Sequence, residues 1–228
     1  MPYTILPALI PDIPAVYTCY FSAFASTPLV SALFPSATTS DLLDATSSFR
    51  QAHTASVISY WNTSSTQYTL KCIDTTTGDI IGMALWDVYV TPSDWKRGEL
   101  NWLTGKERER AEALVMPLWE KREKFWDGRR YLYCHVTAVH PVHQKRGVGA
   151  LLTEAGLRVS RETGLPVYLE SSREGVGLYE KLGFRTMRES VVHRSEDLGG
   201  DGEEDVEVPL MVWVPDGGKL PENMRLKA

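Results

Sequence analysis

Two stretches of this chain carry residue types that could do chemistry. The first is Gln144-Lys145-Arg146-Gly147-Val148-Gly149-Ala150, set between an apolar strand pattern and an apolar helix pattern. Glycines there let main-chain N–H groups approach a ligand closely, at the positive end of a helix dipole. A phosphate or diphosphate suits such a turn; so does no ligand at all, since short glycine motifs recur by chance. A dinucleotide fingerprint needs a third glycine where Leu152 stands, and a P-loop needs Gly-Lys-Ser/Thr, so both matches fail. Lys145 and Arg146 can help neutralise an anion or stand as a solvated basic pair. The second stretch is Tyr131–Val139. Alternation along a strand turns Leu132, Cys134 and Val136 one way and Tyr133, His135 and Thr137 the other. A face on which every residue can hydrogen-bond suits a cleft, and the imidazole of His135 suits a base at neutral pH. A satisfied core histidine is the alternative. Glu170, at the end of the next strand, is the rival base, and its carboxyl would need a raised pKa to accept a proton well.

The elements that must position these residues follow from periodicity. Tyr3 to Leu6 reads as a first strand. A helix starts near Asp12, with Asp12 close to its N-cap, and carries Val16, Tyr20, Phe21 and Phe24 at helical spacing. Pro28 and Pro35 bracket a short turn, and a longer helix runs from Ser40-Asp41 to about Trp61. Gln67–Ile73 and Ile80–Trp86 read as a hairpin about a Thr- and Gly-rich turn. A loop over 91–105 leads to a charged helix over 106–126, with Leu114, Leu118 and Phe125 as core contacts and Pro117 as a kink. Then come a strand at 131–139, a helix at 149–163, a strand at 167–171, a helix at 174–182 and strands near 184–194 and 206–214. This order predicts an α/β fold, a mixed sheet with helices on its faces.

Composition narrows the partners. The 228 residues carry 24 basic and 29 acidic side chains, a net charge of −5. That balance argues against nucleic acid or an anionic membrane surface, which call for a basic face. No apolar run reaches the roughly 18 residues of a membrane span, and Met-Pro-Tyr-Thr does not open a signal peptide. Cys19, Cys72 and Cys134 are three, widely spaced and without C-x-x-C, which predicts reduced thiols in the cytoplasm or nucleus and no metal site.

The stretch Thr137-Ala138-Val139-His140-Pro141, followed by Gln144-x-x-Gly147-x-Gly149, resembles the acetyl-CoA motif of the GCN5-related N-acetyltransferase superfamily. Leu178-Tyr179-Glu180-Lys181-Leu182-Gly183-Phe184 resembles that family's second motif, at the expected distance and with a strand between. Where many members carry an asparagine shortly before the tyrosine, this chain has Arg173-Glu174-Gly175-Val176. The resemblance implies one GNAT-like domain over residues 1–216, with a mixed central sheet splayed at the cofactor site and helices on both faces. Residues 87–130 would be an insertion able to cover the acceptor site, and 217–228 a loose tail. It implies acetyl-CoA as cofactor, held by Thr137, Ala138, Val139, Gln144, Lys145, Arg146, Gly147, Val148, Gly149, Ala150, Ser172 and Tyr179. The strand ending at Val139 would pair with the pantetheine arm as with an added strand.

The implied reaction needs an acid and a base. A lysine-like amine, with pKa about 10.4, is neutral in roughly one molecule in 10^3 at pH 7, so holding it neutral costs roughly 4–5 kcal/mol. Tyr179 stands at the family's position for the donor to the departing thiolate. Tyr133 and His135 stand where arylalkylamine acetyltransferases resemble a histidine pair. The reading is therefore acetyl transfer to a small-molecule primary amine by direct attack in a ternary complex, with a homodimer left open. Two alternatives stand beside it: a protein lysine or N-terminal acetyltransferase, and a non-catalytic CoA-binding sensor. The tryptophans Trp95, Trp102, Trp119 and Trp126 can wall an acceptor site or pin the extra helix to the sheet. The charges of Lys106 to Glu112 predict a solvated helix face, and Glu203-Glu204-Asp205 an exposed turn.

Overall fold

The change of period near residue 67 is where helices give way to sheet. The computed structural model describes residues 2–92, 95, 97–198 and 204–227. The elements in chain order are β1 (Tyr3–Pro7), α1 (Ile13–Phe24), α2 (Pro28–Leu33), α3 (Thr39–Leu43), α4 (Ser48–Thr63), β2 (Gln67–Asp74), β3 (Ile80–Tyr89), α5 (Gly105–Trp126), β4 (Tyr131–Val139), α6 (Val148–Thr163), β5 (Val167–Glu170), α7 (Val176–Lys181), β6 (Arg185–His193), α8 (Ser195–Leu198) and β7 (Val206–Trp213). Single 3-10 turns precede α1 and α6. The strands follow the order β1-β2-β3-β4-β5-β7-β6. The chain divides into two compact units. One holds Met1–Thr27, Ser36–Val88 and Cys134–Val159; the other holds Pro28–Pro35, Tyr89–Tyr133 and Ser160–Ala228.

In the first unit, β1, β2 and β3 form an antiparallel meander. The β2–β3 turn closes because Asp74 accepts the N–H of Thr76 and Gly78 takes φ +82. Helix α6 seats on β3 through two glycines. A Cβ on Gly82 would lie 3.1 Å from side-chain atoms of both Val148 and Leu152, and one on Gly156 would lie 2.2 Å from the Trp86 ring. The Val148, Leu152, Gly156 stripe recurs every fourth residue and buries against β3. Trp86 is fully buried there, stacked with Tyr68 at 12° between planes. Asp87, the next residue, must therefore point to the other face of β3.

One expectation for this unit fails. The helix expected over 40–61 is two helices, α3 and α4. Asp44 accepts the N–H and Oγ1–H of Thr46, and Ser47 caps α4 by accepting the N–H of Arg50. Asp12 stands at the N-cap position of α1, where the helix start is expected, and its carboxylate accepts the N–H of Leu9 and pairs with Lys71 at 2.5 Å instead of bonding the first turn of α1. Arg50, which the period left unmarked, is buried and donates to Leu42 O, Pro14 O and Thr18 Oγ1, tying α1, α3 and α4 together.

In the second unit, β4 and β5 are parallel, paired at Leu132↔Val167 and Tyr133↔Tyr168, and β7 runs antiparallel to both β5 and β6. A core of Phe125, Trp126, Tyr131, Tyr168, Met187, Leu210 and Val212 holds α5 to these strands. Pro117 lies inside α5 without ending it, and Arg108–Glu112 is the i,i+4 pair the charge pattern predicts. The segment expected as a turn at 28–35 contains α2. The tail expected to be loose is packed: Leu226 bridges to Met187, Lys227 N donates to Thr186 O, Asn223 donates to Lys124 O, and Met224 is buried. Asp205 accepts from Arg194 and from Ser195 N, whereas Glu203 lies outside the described residues.

Candidate active site

The turn from β4 into α6 has the geometry an anion needs. Gly147 takes φ +84, with open space where a Cβ would stand, and Lys145 takes φ +58, a left-handed conformation that side chains rarely adopt. Strain of this kind is held where surrounding structure requires it. Gln144 through Gly147 are exposed, and the Gln144 amide donates to Val139 O at 3.1 Å, tying the loop to the end of β4. The first N–H groups of α6, at Val148, Gly149 and Ala150, have no acceptor within the helix and carry its positive dipole end. Thr137, Ala138 and Val139 close β4 just before this turn, with Ala138 buried. These residues fit a diphosphate, with Lys145 and Arg146 beside it.

The same unit holds an arrangement of His135 that periodicity alone did not supply. His135 Nε2 lies 2.6 Å from Asp87 Oδ2, and Asp87 Oδ1 accepts the hydroxyl of Thr66 at 2.8 Å. The Asp87 side chain is 4% exposed and that of His135 is 26% exposed. Strict alternation fails further along: Thr137 Oγ1 comes within 3.6 Å of Cys134 Sγ, so Thr137 leaves the face expected for it. Cys134 is buried, as are Cys19 and Cys72. Burial raises the Cys19 thiol to about 12 and the Cys72 thiol to about 11, so neither is a nucleophile at neutral pH.

In the second unit, Tyr133 donates to Glu170 Oε2 at 2.6 Å, bringing together two of the proton-handling candidates. Burial raises the Glu170 carboxyl, against the lowering effects of the Tyr133 hydroxyl bond and the charge of Arg122. Burial also raises the Tyr133 phenol well above its ordinary value, so Tyr133 is a donor and not a base. The face of the Tyr133 ring carries the guanidinium of Arg122 at 3.9 Å, and Trp95 covers Arg122 at 4.2 Å. Arg122 also donates to Tyr131 Oη and Tyr89 Oη. Trp126 stacks on Tyr131, Trp119 packs on the Leu103, Leu114 and Val115 cluster, and Trp102 donates to Leu33 O. Within this unit, those four tryptophans fasten the segment around α5. Ser172 Oγ accepts the N–H of Gly175 ahead of α7. Tyr179, on α7, is 9% exposed and packs edge-on against Phe184 at 5.4 Å.

Residues 112–186 match the family described as the Acetyltransferase (GNAT) domain. "Probable acyltransferase SID5" of Ajellomyces capsulatus is 31% identical over 140 residues, covering 60% of this chain and 96% of that protein. The chain belongs to the GNAT acetyltransferase family. Its fold is shared with arylalkylamine N-acetyltransferase 2 of Aedes aegypti, at TM-score 0.65 and 13% identity, over 93% of this chain and 98% of that one. It is also shared with yncA of Salmonella typhimurium, solved with its cofactor acetyl-CoA, at TM-score 0.52 and 15% identity, over 98% and 99%. The GNAT family takes acetyl-CoA as its cofactor.

Each unit holds one polar residue beside these groups that periodicity alone does not single out, Asp87 in the first and Arg122 in the second. Asp87 lies just past the strand end expected at Trp86; Val88 and Tyr89, both β-formers, are the sign that the strand continues. Arg122 was hidden in a charged helix, yet it falls at core spacing between Leu118 and Phe125. Among the described residues no group of His, Cys, Asp and Glu is placed to hold a metal, and no helix is long and apolar enough to cross a membrane.

Proposed function

We propose that this GNAT acetyltransferase transfers an acetyl group from acetyl-CoA to a primary amine of a small molecule, by direct attack in a ternary complex. The observation that carries the reading is the His135–Asp87 pair on the strand that ends in the cofactor turn. An amine protonated at neutral pH must lose a proton to attack, and an imidazole backed by a buried carboxylate can take it. Acetyl-CoA supplies the activated acetyl thioester. The main-chain N–H groups of 147–150 hold its diphosphate, with Lys145 and Arg146 adding charge. Thr137, Ala138 and Val139 offer β4 backbone to the pantetheine arm, and Ser172 adds a hydroxyl. Tyr179 protonates the leaving thiolate. Glu170, raised in pKa by burial and bonded to Tyr133, is a second candidate proton acceptor. The chain acts in the cytoplasm or nucleus on this reading, and a homodimer is compatible with it.

The test is a thiol-release assay with acetyl-CoA against aromatic amines, polyamines, aminoglycosides, amino acids and peptides. Turnover on a small amine, with the acidic limb of the pH–rate profile lost in His135→Ala, is the expected result. Turnover confined to peptides moves the assignment to protein acetylation. Binding of coenzyme A without turnover on any amine leaves a sensor. Absence of calorimetric heat with coenzyme A removes the cofactor turn from its role.

A further inference from the structure

Asp87 stands near the end of β3, and a buried carboxylate this far along a hairpin strand needs a reason. Its surroundings give one. Asp87 is buried on the face of β3 opposite Trp86, and both of its oxygens are engaged: Oδ1 by the Thr66 hydroxyl at 2.8 Å, Oδ2 by His135 Nε2 at 2.6 Å. The position of Asp87 along the strand is fixed from behind, because the Trp86 ring is locked against Gly156. Its position across the sheet is fixed by Thr66, whose carbonyl accepts the N–H of Val88 at 3.0 Å while its hydroxyl donates to Asp87. The carboxylate is thus held before any ligand arrives.

We infer that Asp87, held by Thr66, is the positioning residue that makes His135 a directed proton acceptor, with Nδ1 as the accepting nitrogen. The inference rests on the reading of His135 as the base for acetyl transfer. An ionised carboxylate only accepts hydrogen bonds, so the proton between Asp87 and the ring belongs to Nε2. A neutral imidazole that donates from Nε2 carries its lone pair on Nδ1, so the tautomer and the ring plane are set together. When Nδ1 takes the amine proton, the ring becomes an imidazolium, and the charge of Asp87 offsets it where solvent is largely excluded. Asp87 does not move a proton itself; it acts through the ring. The same logic explains an acid placed on a half-buried strand face, where a neutral residue would pack more easily. Thr66 then orients the carboxylate in turn, a second link of the kind that holds metal-binding histidines in place.

The decisive variants are Asp87→Asn and His135→Ala in the full chain, assayed with acetyl-CoA and the best amine from the panel. In Asp87→Asn, kcat falls about 100-fold or more while KM for both substrates stays within about threefold, as for a group that acts in the transition state. A proton NMR spectrum of the wild-type protein shows a strongly downfield Nε2–H resonance that is absent in His135→Ala and in Asp87→Asn. Should Asp87→Asn not fold, Thr66→Val carries the test: it keeps the carboxylate, and kcat falls roughly 3–10-fold with the resonance displaced. If His135→Ala loses activity and Asp87→Asn keeps kcat within threefold, the positioning role is wrong and the base reading stands. Wild-type kcat in His135→Ala overturns the base reading and this inference with it. A ring protonated at Nδ1 in the neutral wild-type protein overturns the inference alone.

Discussion

Replacing Gly156 by alanine tests whether the α6–β3 contact sets the position of the acid–histidine pair. The added Cβ would lie 2.2, 2.4 and 2.6 Å from three atoms of the Trp86 ring, where ordinary contact starts near 3.4 Å. The ring must withdraw by about 1.2 Å, or α6 must lift by as much, inside a core packed to crystal-like density. Trp86 is fully buried and backed by Tyr68, so it has no solvent side to swing into. Overpacking of this kind costs about 1–3 kcal/mol, and the upper half of that range applies where the obstacle is a rigid ring. For a chain of this length that is a fall in Tm of about 4–12 °C. Displacing Trp86 also displaces Asp87, so kcat at 25 °C falls by more than the lost stability alone would produce, with acetyl-CoA affinity little changed. Thermal melts and steady-state kinetics of Gly156→Ala, Trp86→Phe and the double variant form the cycle. Trp86 Nε1 has no partner among the described residues, so Trp86→Phe sacrifices no hydrogen bond there. The smaller ring in the double variant restores at least 1 kcal/mol relative to additivity. A Gly156→Ala protein that melts within 1 °C of wild type, or a cycle that is additive, refutes the contact as the source of the register.

Two other perturbations read the buried titratable groups. Burial raises the Glu170 carboxyl, so above about pH 4.5 the folded chain binds more protons than the unfolded one and stability falls as pH rises. Glu170→Gln lacks that dependence: its Tm matches wild type near pH 4.5 and exceeds it progressively toward pH 8, whereas parallel curves contradict the assignment. His53 is lowered to about 4 by burial and by the charge of Arg50, among the rings of Tyr17, Phe21 and Phe49. Here the unfolded chain binds more protons between about pH 6.5 and 4, so stability drains as pH falls through that window, by at most about 3 kcal/mol. His53→Phe flattens this acid loss in urea titrations at pH 7 and pH 5; an unchanged difference between the two pH values would exclude His53 as its cause.

The parts of the site that could be read from the chain are those whose chemistry is written locally. A left-handed turn before a helix leaves glycines at fixed offsets, and Gly147 appears where the offset puts it. A strand with two faces leaves an alternation, and Tyr133 and His135 lie on the half-exposed one. Local signals also fail locally: the break between α3 and α4 turned on whether Asp44 would bond its own backbone or continue a helix, and no pattern of apolar residues decides that. Likewise the last residues, mostly polar or glycine, show no period, but Met224 and Leu226 are enough to fasten them against β6.

What could not be read is partnership across strands. Nothing in the types of residues 66, 87 and 135 says that they meet; the pairing of Gln67 with Asp87, continued by the Val88 N–H on Thr66 O, places Thr66 beside Asp87, and α6 packs behind it where Gly156 meets Trp86. A carboxylate drawn into the sheet interior costs stability unless something charged or polar receives it, so its presence there is the trace of a demand other than folding. The acceptor of the acetyl group imposes that demand only through the atoms it brings near the imidazole. The tautomer of His135 is therefore the quantity to measure before any substrate is known: Asp87 holds one nitrogen of the ring, and the tautomer fixes from which side of the ring a substrate's proton can be taken.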